Sequence, residues 1–345
     1  MWLSFPKPSD AERPVASAAE RSAREWALRR AKVLFAPSTL GADSFDRDPN
    51  AGTIDPHLTT CTIVPGEATG TTPKFECRLQ NGEKIKVKYG WTREIPAEIA
   101  ATRLLQALGF PSDRMSRVAR LRCYGCVVSP FHFRLAAGTF GLERTFERHL
   151  DYSRATEFSD VAVERKFPGD AVETSSDKGW GFHELSKIDA ASGGATRAEI
   201  DALRLMAMFL AHWDNKAENQ RLVCQGSAVP CDGTIAMLHD LGSDFGPYKV
   251  NAKGWKNTPI WADARACGLS MKGMPYDGAT FEDVRISEAG RQLVADRLGA
   301  LTTDQIFTLF RSAGFSDLDQ WVSAFEDKVR QIANNRCPSL SGVSS

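Results

Sequence analysis

Eight residues constrain this chain more than any other stretch. His212-Trp213-Asp214-Asn215-Lys216-Ala217-Glu218-Asn219 lies between a helical pattern and two strand-like runs, with no spacer on either side. Thr196-Arg197-Ala198-Glu199 has the form of a capping box, and Ile200, Leu203, Met206, Phe209 and Leu210 recur behind it at helical spacing. That helix is predicted to run straight into the octet, and Gln220 to Cys224 and Thr234 to Leu238 follow as a strand pair. Taken singly, each polar residue of the octet reads as part of a loop after a buried helix. Jointly, where a helix meets a hairpin, they read as chemistry.

The chemistry they suit is phosphoryl transfer, which needs a carboxylate to orient an attacking hydroxyl, cations on the phosphates and oxygen ligands for Mg²⁺. Asp214 is the candidate base, Lys216 can neutralise the transferring group, and Asn219 can offer an amide oxygen to the metal. Downstream, Ile235 to Leu238 deliver His239-Asp240-Leu241-Gly242, so Asp240 at the strand end is the second metal ligand. Asp244, in a literal Asp-Phe-Gly four residues on, is the alternative. Upstream, Thr60 to Val64, Lys74 to Leu79 and Glu83 to Tyr89 read as strands. Asn81-Gly82 between the last two is a strong hairpin signal.

The third of these strands carries Lys84, Lys86 and Lys88 on one face by the period of two, and pattern alone leaves open which of them points inward. Pro96 opens a helix to about Leu108. Glu98 on it is the natural carboxylate partner for the inward lysine, with Glu94 in reserve. The turn Pro65 to Lys74 holds Gly66, Gly70, Thr69, Thr71 and Thr72, whose backbone and hydroxyl donors suit phosphate oxygens.

Organisation along the rest of the chain is plainer. Residues 1 to 55, with a helix from Ala18 to Val33, form an extension packing on the body. Strands are predicted at Arg117 to Cys123 and Val161 to Phe167 with a loop-rich stretch from 129 to 160 between them, and a small lobe closes near Pro168. Residues 243 to 280 read as irregular, and helices follow at 287–299, 302–313 and 317–335. Trp180-Gly181-Phe182-His183-Glu184 reads as packing. Trp255, Trp261 and Tyr276 shape either an acceptor groove or ordinary core.

Composition excludes several classes. Lys plus Arg equals Asp plus Glu at 43 each, which removes the broad attraction expected of a nucleic-acid binder. No apolar run approaches a bilayer span, so no transmembrane segment is expected. Met1 to Pro8 leads into charged residues without an apolar signal region, so cytoplasm is the default location. Eight cysteines are many for a reduced compartment, and Cys224 and Cys231 bracket the predicted hairpin where a cross-strand bridge fits, which keeps an extracytoplasmic location open. Cys123-Tyr124-Gly125-Cys126 is half a zinc site, a redox pair, a local disulfide or buried thiols. With no second pair at metal-ligand spacing, the last two readings are preferred. Cys61, Cys77, Cys267 and Cys337 have no assigned partner.

The octet is similar to the His-Arg-Asp-Leu-Lys-Pro-Glu-Asn loop of protein kinases, keeping His212, Asp214, Lys216, Glu218 and Asn219. Trp213 stands where the arginine would be, so activation through that arginine is not expected. Ile85-Lys86-Val87-Lys88 resembles the Val-Ala-Ile-Lys strand, which favours Lys88 over Lys86 as the nucleotide lysine. The helix from Ala97 to Leu105, ending in Leu108-Gly109-Phe110, and the strand Val161 to Phe167 resemble atypical kinases: the HipA-type bacterial Ser/Thr kinases and, more distantly, the phosphoinositide kinases.

That resemblance covers residues 60 to 250. It implies an α+β, bilobal protein-kinase-like fold, with residues 1–55 as extension, 56–168 as a β-rich N-lobe and 169–345 as a mostly helical C-lobe. It also implies ATP and Mg²⁺ as cofactors, and places Glu164, Lys166 and Phe167 beside the nucleotide base. The expected activity is transfer of the γ-phosphate of ATP to a hydroxyl acceptor on a protein, metabolite or lipid headgroup. A pseudokinase scaffold and AMP transfer on the same fold are the alternatives.

Overall fold

The computed structural model describes residues 15–35, 45–66, 70–142, 147–148, 150–226, 230–274 and 278–339. Thr69 and Tyr276, both singled out above, lie outside these residues. The architecture is mixed α/β. β1 (Leu58–Val64), β2 (Lys74–Leu79) and β3 (Lys84–Lys88) make an antiparallel meander. Asn81-Gly82 turns it as expected, with Gly82 at φ 85° and the Leu79 N–H bonded to the Glu83 carbonyl at 2.9 Å, so the loop has three residues. After α2 (Glu94–Ala107), β4 (Arg114–Tyr124) pairs in parallel with β1 and antiparallel with β5 (Ala155–Arg165), and β5 pairs with β3. The five strands close a barrel in the order β1-β2-β3-β5-β4. Alternation sorts their side chains: Ile63, Phe75, Ile85, Val87, Leu121 and Phe158 fill the interior, and the lysines of β3 face out of it.

Two expectations fail here. The stretch 129 to 160 is not all loop: α3 (Pro130–Thr139) opens on a proline, and β5 begins at Ala155 and stops at Arg165. Its first half, Ala155-Thr156-Glu157-Phe158, pairs with β4 alone and buries only Phe158, so an apolar-run criterion overlooks it. α2 starts two residues before Pro96, since a proline in the first helical turn lacks only an N–H that has no intrahelical acceptor.

The helical body is built around α4 (Arg197–Leu210). Its capping box is formed, with the Thr196 hydroxyl accepting from the Glu199 N–H and the Glu199 carboxylate accepting from the Thr196 N–H at 2.6 Å. All residues from Ile200 to Leu210 are buried, so the helix is a core element. A second sheet, β6 (Asp170–Ala171), β7 (Gln220–Cys224) and β8 (Thr234–Leu238), follows in the order β6-β7-β8. The expected irregular stretch contains α5 (Ala252–Asn257), capped by the Asn251 side chain, and β9 (Gly268–Leu269), which pairs with β10 (Val284–Arg285) just beyond it. α6 (Glu288–Gly299), α7 (Thr303–Ala313) and α8 (Leu318–Ala333) complete the body. Trp255 is fully buried among Phe209, Phe245, Phe310, Trp321 and Phe325, with its indole N–H on the Phe209 carbonyl at 2.6 Å; it is core and not groove. Gly290 lets α6 approach α4, because a Cβ there would stand 2.5 Å from Cβ of Asp201.

α1 (Ala18–Arg29) ends four residues earlier than expected, and the chain then extends along β8. Lys32 donates its N–H to the Thr234 carbonyl and accepts from the Ala236 N–H, both at 2.9 Å. Arg24 fastens the helix through two bonds to Glu184, at 2.9 and 2.8 Å, and one to the Gly179 carbonyl. Burial alone would raise the Glu184 carboxyl, but hydrogen bonds from Arg24 and from the Gly181 N–H hold it at about 2, below the ordinary 4.5. A depressed carboxyl stabilises above its unfolded value and loses that contribution as pH falls through its folded one. Arg24→Ala is therefore expected to cost about 2 kcal/mol at pH 7. Denaturant titrations should show the gap between wild type and variant closing between pH 4.5 and about 2; a gap that persists at the acid end contradicts this.

All eight cysteines are paired: Cys61–Cys77, Cys123–Cys126, Cys224–Cys231 and Cys267–Cys337. The bridge expected across the β7–β8 hairpin is formed, with its Cα atoms 5.9 Å apart. Among the described residues no helix is long and apolar enough to cross a membrane.

Candidate functional site

The lysines of β3 make a graded ladder. Lys84 is exposed and pairs with Glu76; Lys86 bonds Glu164 on β5 at 2.7 and 2.8 Å; Lys88 is 3% exposed and bonds Glu98 on α2 at 2.5 Å. The periodicity that puts all three on one face says nothing of depth. Depth is set by α2, which crosses the C-terminal end of β3 and seals Lys88 beneath it. Lys88 also reaches Asp240 at 3.3 Å. Burial would discharge a lone ammonium here, but Glu98 and Asp240 raise the Lys88 pKa and keep it protonated.

The octet is fixed from behind. Ala211 takes a left-handed conformation, φ 56°, that ends α4 and turns the chain into His212. His212 and Asp244 are both 1% exposed and lie 2.8 Å apart, Nδ1 to Oδ1, with the Gln220 side chain 3.1 Å from Nε2. Burial opposes charge on the ring, yet Asp244 raises the His212 pKa. Asp244 is thus engaged in holding the loop and is 1% exposed, whereas the Asp240 side chain is 42% exposed. Asn215 is fully buried: its Nδ2 donates to the carbonyls of His212 and Trp213, and its Oδ1 accepts from the N–H groups of Thr280 and Phe281 at 2.7 and 2.9 Å. Gly179 packs the segment before Trp180 onto the same loop, at φ 65°, where a Cβ would sit 2.0 Å from the Ala217 carbonyl oxygen.

Asn219 donates Nδ2 to the Asp214 carbonyl at 2.6 Å. The Asn219 carbonyl accepts from the His239 N–H at 2.9 Å, so the β7–β8 pairing carries one step past the strands and sets Asp240 next to Asn219. Asp240 sits at φ 52°, ψ 59°, and its side chain is 42% exposed. Lys88 holds its carboxyl well below the usual range, against the opposing effect of burial. Asp214 Oδ1 is buried with no hydrogen-bond partner. The Lys216 ammonium makes no ion pair among the described residues. Glu218 faces away, into a cavity of about 740 Å³ beside Arg21, Arg24 and His183.

The other candidates are placed unevenly. Glu164 is 1% exposed and neutralised by Lys86, Lys166 is exposed, and Phe167 stacks on Phe35 while giving its N–H to Asp113 at 2.6 Å. Glu94 takes the Thr72 hydroxyl and no lysine. Thr71 is exposed on the turn, and Gly70, at φ 75°, folds that turn over Lys74, where a Cβ would lie 3.0 Å from Nζ.

Lys74 is the residue that sequence reading missed. It pairs across the hairpin with Lys88. Burial lowers its pKa, the charge of Asp240 pulls the other way, and Lys88 and Lys86 push it further down. Asp113 was also missed: it joins His239 at 2.6 Å and Arg221 at 3.1 Å, and those two charges hold its carboxyl low despite burial.

No family model and no curated relative matches the chain. Among solved structures it is similar to the crystal structure of a Helicobacter pylori proinflammatory kinase, CtkA, at 11% identity over 81% of this chain and 97% of that one, with a TM-score of 0.44. At that distance the chemistry has to be read from this chain's own residues.

Proposed function

We propose that the chain is a bilobal, kinase-like phosphotransferase that holds Mg·ATP between the barrel and the helical body and moves the γ-phosphate to a hydroxyl. The observation that carries this reading is the three-way contact of Lys88 with Glu98 and Asp240, with Asn219 beside it. One lysine ties a helix of the barrel side to an acid delivered by the body, and both are needed to grip a nucleotide. In this reading residues 56–168 are the N-lobe, 169–345 the C-lobe and 1–55 an extension.

The donor set fits the metal. Asn219 Oδ1 and a half-open Asp240 carboxylate are hard oxygen donors. Asn219 and Asp240 would hold Mg²⁺, which when bound draws charge from the β- and γ-phosphates. Lys88, held by Glu98, and Lys74 beneath the Gly70–Thr71 turn neutralise the non-transferring phosphates. Asp214 accepts the hydroxyl proton and aims the oxygen, and Lys216 steadies the transferred group. Lys86, Glu164, Lys166 and Phe167 line the side of the cleft away from the metal, toward the base.

The test is ATP binding by calorimetry with and without Mg²⁺, followed by transfer of labelled γ-phosphate to protein and small-molecule fractions of a host lysate. Mg²⁺-dependent binding and label transfer are expected. Lys88→Met should lower transfer by on the order of 10²-fold, because a preorganised charge is removed from a shielded site. Mg²⁺-dependent binding without transfer would make the chain a nucleotide-binding scaffold, and no binding at all would remove the reading.

A further inference from the structure

Two of the four disulfides occupy one place. β1 and β4 run in parallel with Cys61 beside Cys123, and β2 brings Cys77 opposite Ile63, two residues along β1 from Cys61. The sulfurs of Cys61, Cys77 and Cys123 all lie within 4.8 Å of one another. Cys77 Sγ is 3.9 Å from Cys123 Sγ, although the two belong to different bridges. Gly125, at φ 77°, reverses the chain and sets Cys126 against Cys123. All four cysteines are buried in the barrel core, whereas Cys224–Cys231 and Cys267–Cys337 each stand apart.

We propose that, once these two disulfides are reduced, Cys61, Cys77, Cys123 and Cys126 form a tetrathiolate site for a zinc-like divalent ion. Tetrahedral zinc with Zn–S bonds of about 2.3 Å keeps its sulfurs about 3.8 Å apart. The Cys77–Cys123 contact already has that separation. Cys123-x-x-Cys126 supplies two ligands from one turn. The second pair, absent at any recognisable spacing in the sequence, comes from adjacent strands at a separation of 16 residues.

An all-sulfur donor set selects zinc over the hard cations of the cleft. The chemistry balances: two equivalents of a phosphine and two of water break the two S–S bonds, each phosphine giving two electrons and taking the water oxygen as its oxide while the four water protons complete four protein thiols. Ion binding then releases those protons as the thiols become thiolates. The barrel is cross-linked in both states, by S–S bonds in one and by the ion in the other.

The full chain, reduced with a phosphine and desalted under nitrogen, is titrated with Co²⁺. One equivalent should produce the visible bands and thiolate charge-transfer absorption of a tetrahedral cobalt–sulfur centre, and Zn²⁺ should displace it. Alkylation mapped by mass spectrometry should then show Cys61, Cys77, Cys123 and Cys126 protected by Zn²⁺ and the other four cysteines modified. Cys123→Ser should lose the cobalt spectrum; Cys224→Ser/Cys231→Ser should keep it. If Cys123→Ser does not fold, the protection map of the wild-type chain decides. Absence of tetrahedral cobalt bands, protection falling on other cysteines, or a reduced chain that unfolds and is not restored by Zn²⁺ would each overturn the proposal.

Discussion

Asp214→Asn should lower phosphoryl transfer by roughly 10²- to 10⁴-fold and leave Mg²⁺-dependent ATP binding close to wild type. The substitution keeps the shape of the side chain and removes its capacity to take a proton. The backbone carbonyl of Asp214, which anchors Asn219, is untouched. Asp240→Asn should behave differently, weakening Mg²⁺-dependent binding itself, because Asp240 is a proposed ligand and Lys88 leans on it. Single-turnover transfer and calorimetry on both variants separate the roles, and an Asp214→Asn chain that transfers phosphate at the wild-type rate would end the assignment.

Cys267→Ser/Cys337→Ser should destabilise the oxidised chain by about 4 kcal/mol, because the bridge closes a loop of 70 residues and the entropy it removes from the unfolded chain grows with loop length. The same double substitution at Cys224 and Cys231, which close a loop of only 7, should cost about 2 kcal/mol. The difference tests the cause, since both bridges link well-formed elements and differ mainly in span. Cys267 leads into β9, and the Cys337 N–H is held by the Glu288 carboxylate at 2.8 Å, so the longer bridge pins the end of the chain onto α6. Urea unfolding without reductant measures both; equal losses would show that loop entropy is not the main term.

How far the sequence could be read depended on whether a feature is local. β7 and β8 were legible to the residue, because β7 follows the octet directly and ends at the Cys224 turn, while β8 is a short apolar run between that turn and His239. Pairing of Lys88 with Glu98 was legible as well, from a strand followed directly by a helix, though the choice between Lys86 and Lys88 hangs on how α2 crosses the sheet. Lys74 was not within reach: a two-residue Asn81-Gly82 turn would set it opposite Tyr89, and only the three-residue loop, which moves the register by one, sets it opposite Lys88. Asp113 was not within reach. Its partners Arg221, His239 and the Phe167 N–H come from distant segments, and nothing near Asp113 marks it. The same holds for the Cys267–Cys337 pairing and for the sulfur cluster of the barrel, which exists only because β1 and β4 lie side by side.

The seam between Lys32 and β8 has a consequence for how the protein is made. The bridge from Lys32 to Ile235 joins residues about 200 positions apart, so at ~5–20 residues per second Lys32 leaves the ribosome on the order of 10–40 s before its partner strand. Until then Leu28, Ala31 and Val33, destined for burial, lack the β8 part of their packing surface, and β8 when it appears has an open edge until Lys32 pairs with it. A chaperone that shields this short apolar segment during synthesis would therefore raise the yield of folded chain more than one acting on the completed polypeptide.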